Sequence, residues 1–580
     1  MNTSCAEDRT PETNTTFDAV VVGAGFAGMY MLHCLRQMGL SARVYETGDG
    51  VGGTWYWNRY PGARCDVESM QYSYSFSQEL DQEWTWSEKY APQPEILSYA
   101  NHVADRFDLR KDIRFNTKVT SAVFDESAGE WQVETSKGDQ VRAQFCIMAV
   151  GCLSAANRPP FDGIDNFNGP VYHTGEWPHE GVDLTGKRVA VIGTGSSAIQ
   201  SIPIIAKQAS SLTVFQRTAN YTVPAWNAKL DDDYVASIKA DYPGLRAKAR
   251  ARPTGFYFPF NTNSALAATP EEREEQYEES WQRGGLPFLG AYGDLLFDKE
   301  ANDTIAEFAR RKIRETVNDP VTAELLSPDN VFGCKRLCVD TGYYAVYNEP
   351  HVTLVDVSKT PVERLTENGV VVDGKTYEAD VVVCATGFAA MTGSFDRMHI
   401  VGRDGLTLKE KWAAGPGTYL GLSTAGFPNL FMVTGPGSPS VLANMVQSIE
   451  QHVDWMADCI AHIRKIGAQT IEPTPESEKE WVEHVNEVAA ISLRSTCSSW
   501  YVGANIPGKP RVFMPYIGGF PIYVNRCNEV LTNHFEGFVT DVKDESNEIP
   551  EVRFTDRWRV PLDLEVISPA AIAAKKVPVV

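Results

Sequence analysis

Gly23, Gly25 and Gly28 form a Gly-x-Gly-x-x-Gly turn after the apolar run 17–22, and Gly193, Gly195 and Ala198 repeat it after 188–192, with Ser196 and Ser197 inside the second turn. The chemistry such turns perform is phosphate binding. The first glycine permits the bend, the second lets a pyrophosphate approach the backbone, and the third position lets helix and strand close up; free N–H groups and the positive helix end then hold the charge. A single match is weak, but two with matching flanks indicate two dinucleotides. Glu46 follows Gly23 at the spacing with which Gln216 follows Gly193, so the two side chains hold equivalent places. A carboxylate there accepts hydrogen bonds from unmodified ribose hydroxyls, which fits FAD at the first site. At the second, Gln216, Arg217 and Thr218 remove that negative charge and offer a planar cation to a 2'-phosphate, which favours NADP over NAD.

The elements that must position these residues are legible as alternating strands and helices. Ala27, Met31, Leu35 and Met38 recur at helical spacing until Gly39, and a strand at 42–45 ends on Glu46. The second unit repeats the plan with a helix at 199–207 and a strand at 212–215. The fold class is α/β, with two Rossmann-like dinucleotide-binding domains and a helical insertion in the second. The polar start, 1–16, is expected to be a disordered tail; 17–150 and 385–545 form the FAD-binding domain, 151–225 and 331–384 the NADP-binding domain, and 226–330 the insertion, which carries charged helical segments at 271–282 and 302–316. Residues 546–580 lack periodicity and are read as a tail that wraps the surface or is partly disordered.

A formal charge of -22 over 580 residues opposes binding to nucleic acid or anionic membranes, both of which need a basic surface. No apolar run approaches the roughly 18 residues of a membrane helix, and the start does not read as a secretory leader, so a cytoplasmic protein is expected. The eleven cysteines are scattered singly, which suits free thiols, and the spacing of Cys334 and Cys338 is not that of a redox pair. The ten histidines do not cluster with carboxylates or cysteines, and no metal site is expected.

Between the two fingerprints lies Phe167-x-Gly169-x-x-x-His173-x-x-x-Trp177-Pro178, which resembles the signature of the type I Baeyer–Villiger monooxygenases. These flavoproteins convert ketones to esters or lactones with NADPH and dioxygen, through a C4a-peroxyflavin, and some also oxidise sulfides. The resemblance covers about 17–535, and 435–445 is most similar to the phenylacetone and steroid monooxygenase branch. It implies that Gly53, Thr54 and Trp55 line the flavin in a segment ending at the active-site residue Asp66. It also implies that Arg336 is the catalytic cation, Lys335 a partner of the NADP phosphate, and Trp500 a donor to the cofactor ribose from a mobile loop near 490–510. Val441, Leu442 and Met445 would line the ketone pocket. Paired to Arg336, Asp66 would fix the guanidinium, and wide separation of the two would end that idea. A flavin monooxygenase of amines or sulfides is the nearest rival, opposed by Trp177 and Arg336. A disulfide reductase lacks its cysteine pair after Glu46. A catalytically silent flavin-binding redox sensor stays open.

Overall fold

Val20, Val21 and Val22 lie buried because both faces of the first sheet are covered, as continuous apolar strands of parallel sheets require. The computed structural model describes residues 10–542 and 550–559. In the first sheet, the strand Thr13–Val22 pairs in parallel with Ala42–Tyr45 on one side and Gln140–Met148 on the other. An antiparallel meander, Val119–Asp125 and Glu130–Thr135, extends it, and Leu430–Met432 returns from far along the chain to join Gln140–Met148. The second sheet is all parallel, in the order Val352–Asp356, Ser211–Gln216, Arg188–Ile192, Val381–Cys384 and Val171–His173. Both glycine turns therefore leave the carboxyl ends of central strands, where open α/β sheets bind ligands. Between the sheets' segments, residues 226–330 contribute helices including Pro270–Arg283 and Lys299–Thr316.

Two terminal expectations need correction. The first strand begins at Thr13, so 13–16 belong to the sheet: Thr15 and Thr16 register against Val141 and Arg142, and β-branched threonines suit such an edge. At the other end, 550–559 is an anchor rather than a wrap, because Trp558 is fully buried and its indole N–H donates to Asp454. Of the two expected tails, 1–9, 546–549 and 560–580 lie outside the described residues, as does 543–545 of the expected FAD-binding segment.

The longest helix among the described residues, Met445–Ile466, starts where the Asn444 side chain accepts the Val446 N–H and stops at Gly467, whose φ of 72° is left-handed. It packs against the helix Phe26–Gln37 that follows the first glycine turn. Inside it, His452 is fully buried, and its Nδ1 accepts the Thr434 N–H at 2.9 Å. Burial lowers its pKa to about 3. The unfolded chain therefore takes up a proton that the folded chain refuses between about pH 6.5 and 3, and folding stability falls as the pH drops through that window. The expected slope is about 1.4 kcal/mol per pH unit at most from this residue. Thermal unfolding between pH 7 and 5 should show it, and His452→Asn, which keeps an acceptor for Thr434, should flatten it; an unchanged slope would assign the effect elsewhere.

Candidate active site

The first glycine turn is built for close approach. A Cβ on Gly25 would stand 3.3 Å from the Cα of Gly53, and one on Gly53 would stand 2.9 Å from the Cα of Gly25, so both glycines are needed to bring these backbones together. Gly25 caps the helix Phe26–Gln37 with no side-chain acceptor, which leaves its first-turn N–H groups for a phosphate. Glu46, at the end of Ala42–Tyr45, is buried and accepts N–H groups from Ala24 at 2.7 Å and Gly48 at 2.8 Å. Burial pushes its carboxyl up, against backbone donors that favour the charge. Thr54 and Trp55 open the short helix Thr54–Trp57, and the Trp55 indole donates to the Tyr72 hydroxyl at 3.1 Å.

From there the chain crosses to the second unit. Gly62, at φ +80°, touches the helix Ser196–Ala206: a Cβ would meet the Gln200 carbonyl oxygen at 2.4 Å. Tyr60 donates to the Gln200 side chain at 2.8 Å, and that side chain donates to the Arg64 carbonyl at 3.1 Å. Asp66 is thereby fixed against the second nucleotide unit.

At that unit Gly195 caps Ser196–Ala206, again with no side-chain acceptor. Ser196 Oγ lies 3.2 Å from Cys338 Sγ, and Ser197 Oγ lies 3.1 Å from Thr174 Oγ1. Thr218 gives its carbonyl to Thr194, and buried Gln216 donates to the Leu325 carbonyl. The strand Thr222–Pro224, just after Arg217, pairs in parallel with Cys338–Asp340, just after Lys335 and Arg336. That ribbon joins the two cationic segments. Burial and the charge of Arg217 push the Lys335 ammonium below its ordinary value. Two cations that repel each other, neither ion-paired among the described residues, suit a phosphate held between them.

Arg336 and Asp66, 270 positions apart, meet as a bidentate pair. Nε donates to Asp66 Oδ2 at 2.6 Å, Nη2 donates to Oδ1 at 2.8 Å, and Nη1 donates to the Val441 carbonyl at 2.6 Å. Burial works against the charge, but Asp66 outweighs it and holds the guanidinium pKa above its usual value. Beside Arg336 opens a cavity of about 140 Å³ lined by Val441 and Leu442 and, from the 226–330 region, Phe256, Phe258 and Leu289. Met445 does not line it; it packs with Trp500 and Val441 in an adjoining apolar cluster.

The connector Phe167 to Trp177 is structural in this arrangement. Val171–His173 is the edge strand beside Val381–Cys384, Phe167 and Trp177 are buried on opposite sides of that sheet, and Gly169 runs against the Asp380 backbone. His173 Nδ1 accepts the Gly175 N–H at 3.0 Å, and its ring meets Phe388 edge-on. The loop near 490–510 is docked: Arg494 donates to the Gly333 carbonyl, Asn505 to that of Phe388 and Lys509 to that of Ala390. Trp500 rests on Tyr501, 4.3 Å between ring centres, and its indole N–H has no hydrogen bond to protein among the described residues. Cys334 and Cys497 form a disulfide, which corrects the expectation of free thiols and ties this loop to the Arg336 segment. Sequence reasoning also missed Arg494, Tyr501 and the aromatic lining; the alternating Phe256, Phe258 and Phe260 were the available signal.

Among the described residues no cluster of three or more His, Cys, Asp or Glu is placed to hold a metal ion, and no helix is long and apolar enough to cross a membrane. Two dinucleotide cradles joined by a half-buried Arg–Asp pair define a flavin- and nicotinamide-dependent oxidoreductase. The family model described as pyridine nucleotide-disulphide oxidoreductase matches residues 20–242. A Baeyer-Villiger monooxygenase of Pseudooceanicola batsensis is 43% identical over 545 residues, 93% of this chain and 99% of that protein. A phenazine N-monooxygenase of Lysobacter antibioticus is 42% identical over 529 residues, 90% of this chain and 97% of that protein. An oxidized steroid monooxygenase bound to NADP, among solved structures, is 56% identical, with a TM-score of 0.87, covering 91% of this chain and 99% of that one. The chain belongs to the Baeyer–Villiger monooxygenases, enzymes that use FAD and NADPH.

Proposed function

We propose that the chain oxygenates a ketone with an apolar body, with Arg336 as the catalytic cation, Asp66 as its positioning partner and the cavity beside them as the ketone site. The observation that carries this reading is the bidentate Arg336–Asp66 pair opening onto an apolar pocket. Overall, ketone, dioxygen, NADPH and a proton give ester or lactone, NADP and water. Bound FAD supplies the reaction with dioxygen, and bound NADPH the hydride. Gly23, Gly25, Gly28, Glu46, Gly53, Thr54 and Trp55 would hold the FAD. Gly193, Gly195, Ser196, Ser197, Gln216, Arg217, Thr218, Lys335 and Trp500 would hold the NADP.

The protein's part is geometric and electrostatic. Asp66 and the Val441 carbonyl occupy three donors of Arg336 and fix its plane, so the remaining N–H groups face negative charge that develops on the ketone oxygen. Apolar walls keep water from competing for them. Because its hydride donor is an intracellular nucleotide, we place the enzyme in the cytoplasm.

Incubation with NADPH, oxygen and a ketone panel tests the reading, with mass spectrometry for one added oxygen atom. Ester or lactone is expected. Oxygen added to a nitrogen heterocycle, with every ketone untouched, would overturn it. For the phosphate site, Arg217→Ala is expected to raise the KM for NADPH about 10- to 100-fold and that for NADH little. Equal changes for both would reject the assignment.

A further inference from the structure

The cavity beside Arg336 is charged in one sense only. Three arginines line it, Arg252, Arg336 and Arg494, and no carboxylate does. Arg336 has Asp66, but neither Arg252 nor Arg494 has an ion-pair partner among the described residues. Arg494 donates its Nε to the Gly333 carbonyl at 3.0 Å and lies 6.0 Å from the Tyr501 ring centre. Arg252 lies over Tyr257. Thr254 Oγ1, on the same wall, is buried without a hydrogen-bond partner.

This cationic surplus sits inside a chain of net charge -22. A guanidinium facing phenylalanine and leucine has lost water without gaining an anion, a cost that persists unless a ligand supplies the anion. The cofactor phosphates have the two glycine turns and the Arg217–Lys335 pair. Arg494 belongs to neither set, and the disulfide Cys334–Cys497 and the Gly333 carbonyl keep its segment against the pocket.

We propose that the preferred substrate is a ketone carrying a carboxylate on its apolar body, and that Arg494 reads the carboxylate, with Arg252 adding positive charge to the same cavity, while Arg336 faces the carbonyl. This rests on the assignment of the cavity as the ketone site. The arginine fork matches a carboxylate and cannot form an ion pair with its ester.

The test uses the full-length holoenzyme and three substrates: an aryl-alkyl ketone, its para-carboxylate and the methyl ester of that acid. The wild type should show kcat/KM for the acid about 10- to 100-fold above that for the ester, carried by KM. Arg494→Met should erase the preference, and Arg494→Lys should keep part of it, which separates lost charge from a damaged fold. Turnover of the neutral ketone with no preference for the acid would overturn the proposal and leave the ketone assignment standing. Failure on all three substrates would strike the ketone assignment itself. Should Arg494→Met raise the KM for NADPH as much as that for the acid, the arginine reads the cofactor and the proposal is also overturned.

Discussion

Arg336→Met is expected to leave flavin reduction by NADPH intact while ester formation falls by about 100-fold or more. The two half-reactions make different demands on this side chain. Hydride transfer needs the nicotinamide ring placed, a task that the proposed assignment gives to the second glycine turn, Arg217 and Lys335. Oxygen transfer needs a fixed positive charge where negative charge grows, and loss of one preorganised donor of this kind costs on the order of 3 kcal/mol of transition-state stabilisation. Arg336 has the form for that, since Asp66 and the Val441 carbonyl hold its plane. Arg336→Lys should recover little, because one ammonium cannot satisfy the Asp66 oxygens and the Val441 carbonyl at once and still face the ketone.

The variant leaves Asp66 half-buried and unpaired, so a general loss of fold must be separated from loss of chemistry. Arg336→Met combined with Asp66→Asn removes the stranded charge. The double variant should unfold at the wild-type temperature, be reduced at the wild-type rate and still make no ester. Stopped-flow absorbance of the flavin, with product analysis, checks both halves; ester formed at the wild-type rate would remove Arg336 from the mechanism.

Much of this site was legible because its rules are local. Glu46 and Arg217 lie at fixed distances from their glycine turns, and the helix between sets their positions, so short-range spacing was enough. The Arg336–Asp66 pair joins residues whose adjacency no local pattern encodes. The motifs around each named it only through family resemblance, and it forms because Gly62 and Tyr60 pin the Asp66 segment to Ser196–Ala206. Arg494 stayed hidden because its neighbours Ser492, Ser495 and Thr496 read as an ordinary loop, and much of the cavity wall it faces comes from 226–330, far off in the chain. Cys334 and Cys497 are 163 positions apart, beyond any spacing rule. The strand at Thr13–Thr16 was missed because polar residues at a sheet's edge look like a tail. One signal was readable and went unused: Glu450, Asp454 and Asp458 recur every fourth position along a helix that carries no other formal charge before Arg464. A buried acidic stripe demands partners from elsewhere in the chain.

The principal partner is Arg557, and Arg557→Ala should destabilise the protein by about 3–5 kcal/mol, the usual cost of stranding buried charge. Its Nε donates to Asp454 Oδ2 at 2.6 Å, its Nη2 to the Tyr30 hydroxyl at 2.8 Å, and Glu450 lies 3.6 Å from its Nη1. Asp454 and Glu450 are both inaccessible to water. Burial opposes the arginine's charge, but the two carboxylates outweigh it and raise its pKa. The effect should reach the flavin. Tyr30 stands on Phe26–Gln37, whose uncapped first turn faces the proposed pyrophosphate site, and its hydroxyl is held between Asp454 and Arg557. Arg557→Ala is therefore expected to lower the unfolding temperature and also to weaken FAD retention, measured as flavin fluorescence released on dilution. Chain termination after residue 549 should reproduce both effects, because it removes Arg557 and Trp558 together. Arg557→Met combined with Asp454→Leu, with apolar groups in place of the pair, should restore much of the stability. Full stability and tight flavin in Arg557→Ala would mean that Asp454 and Glu450 are satisfied without it, and that the segment 550–559 merely rests on the fold.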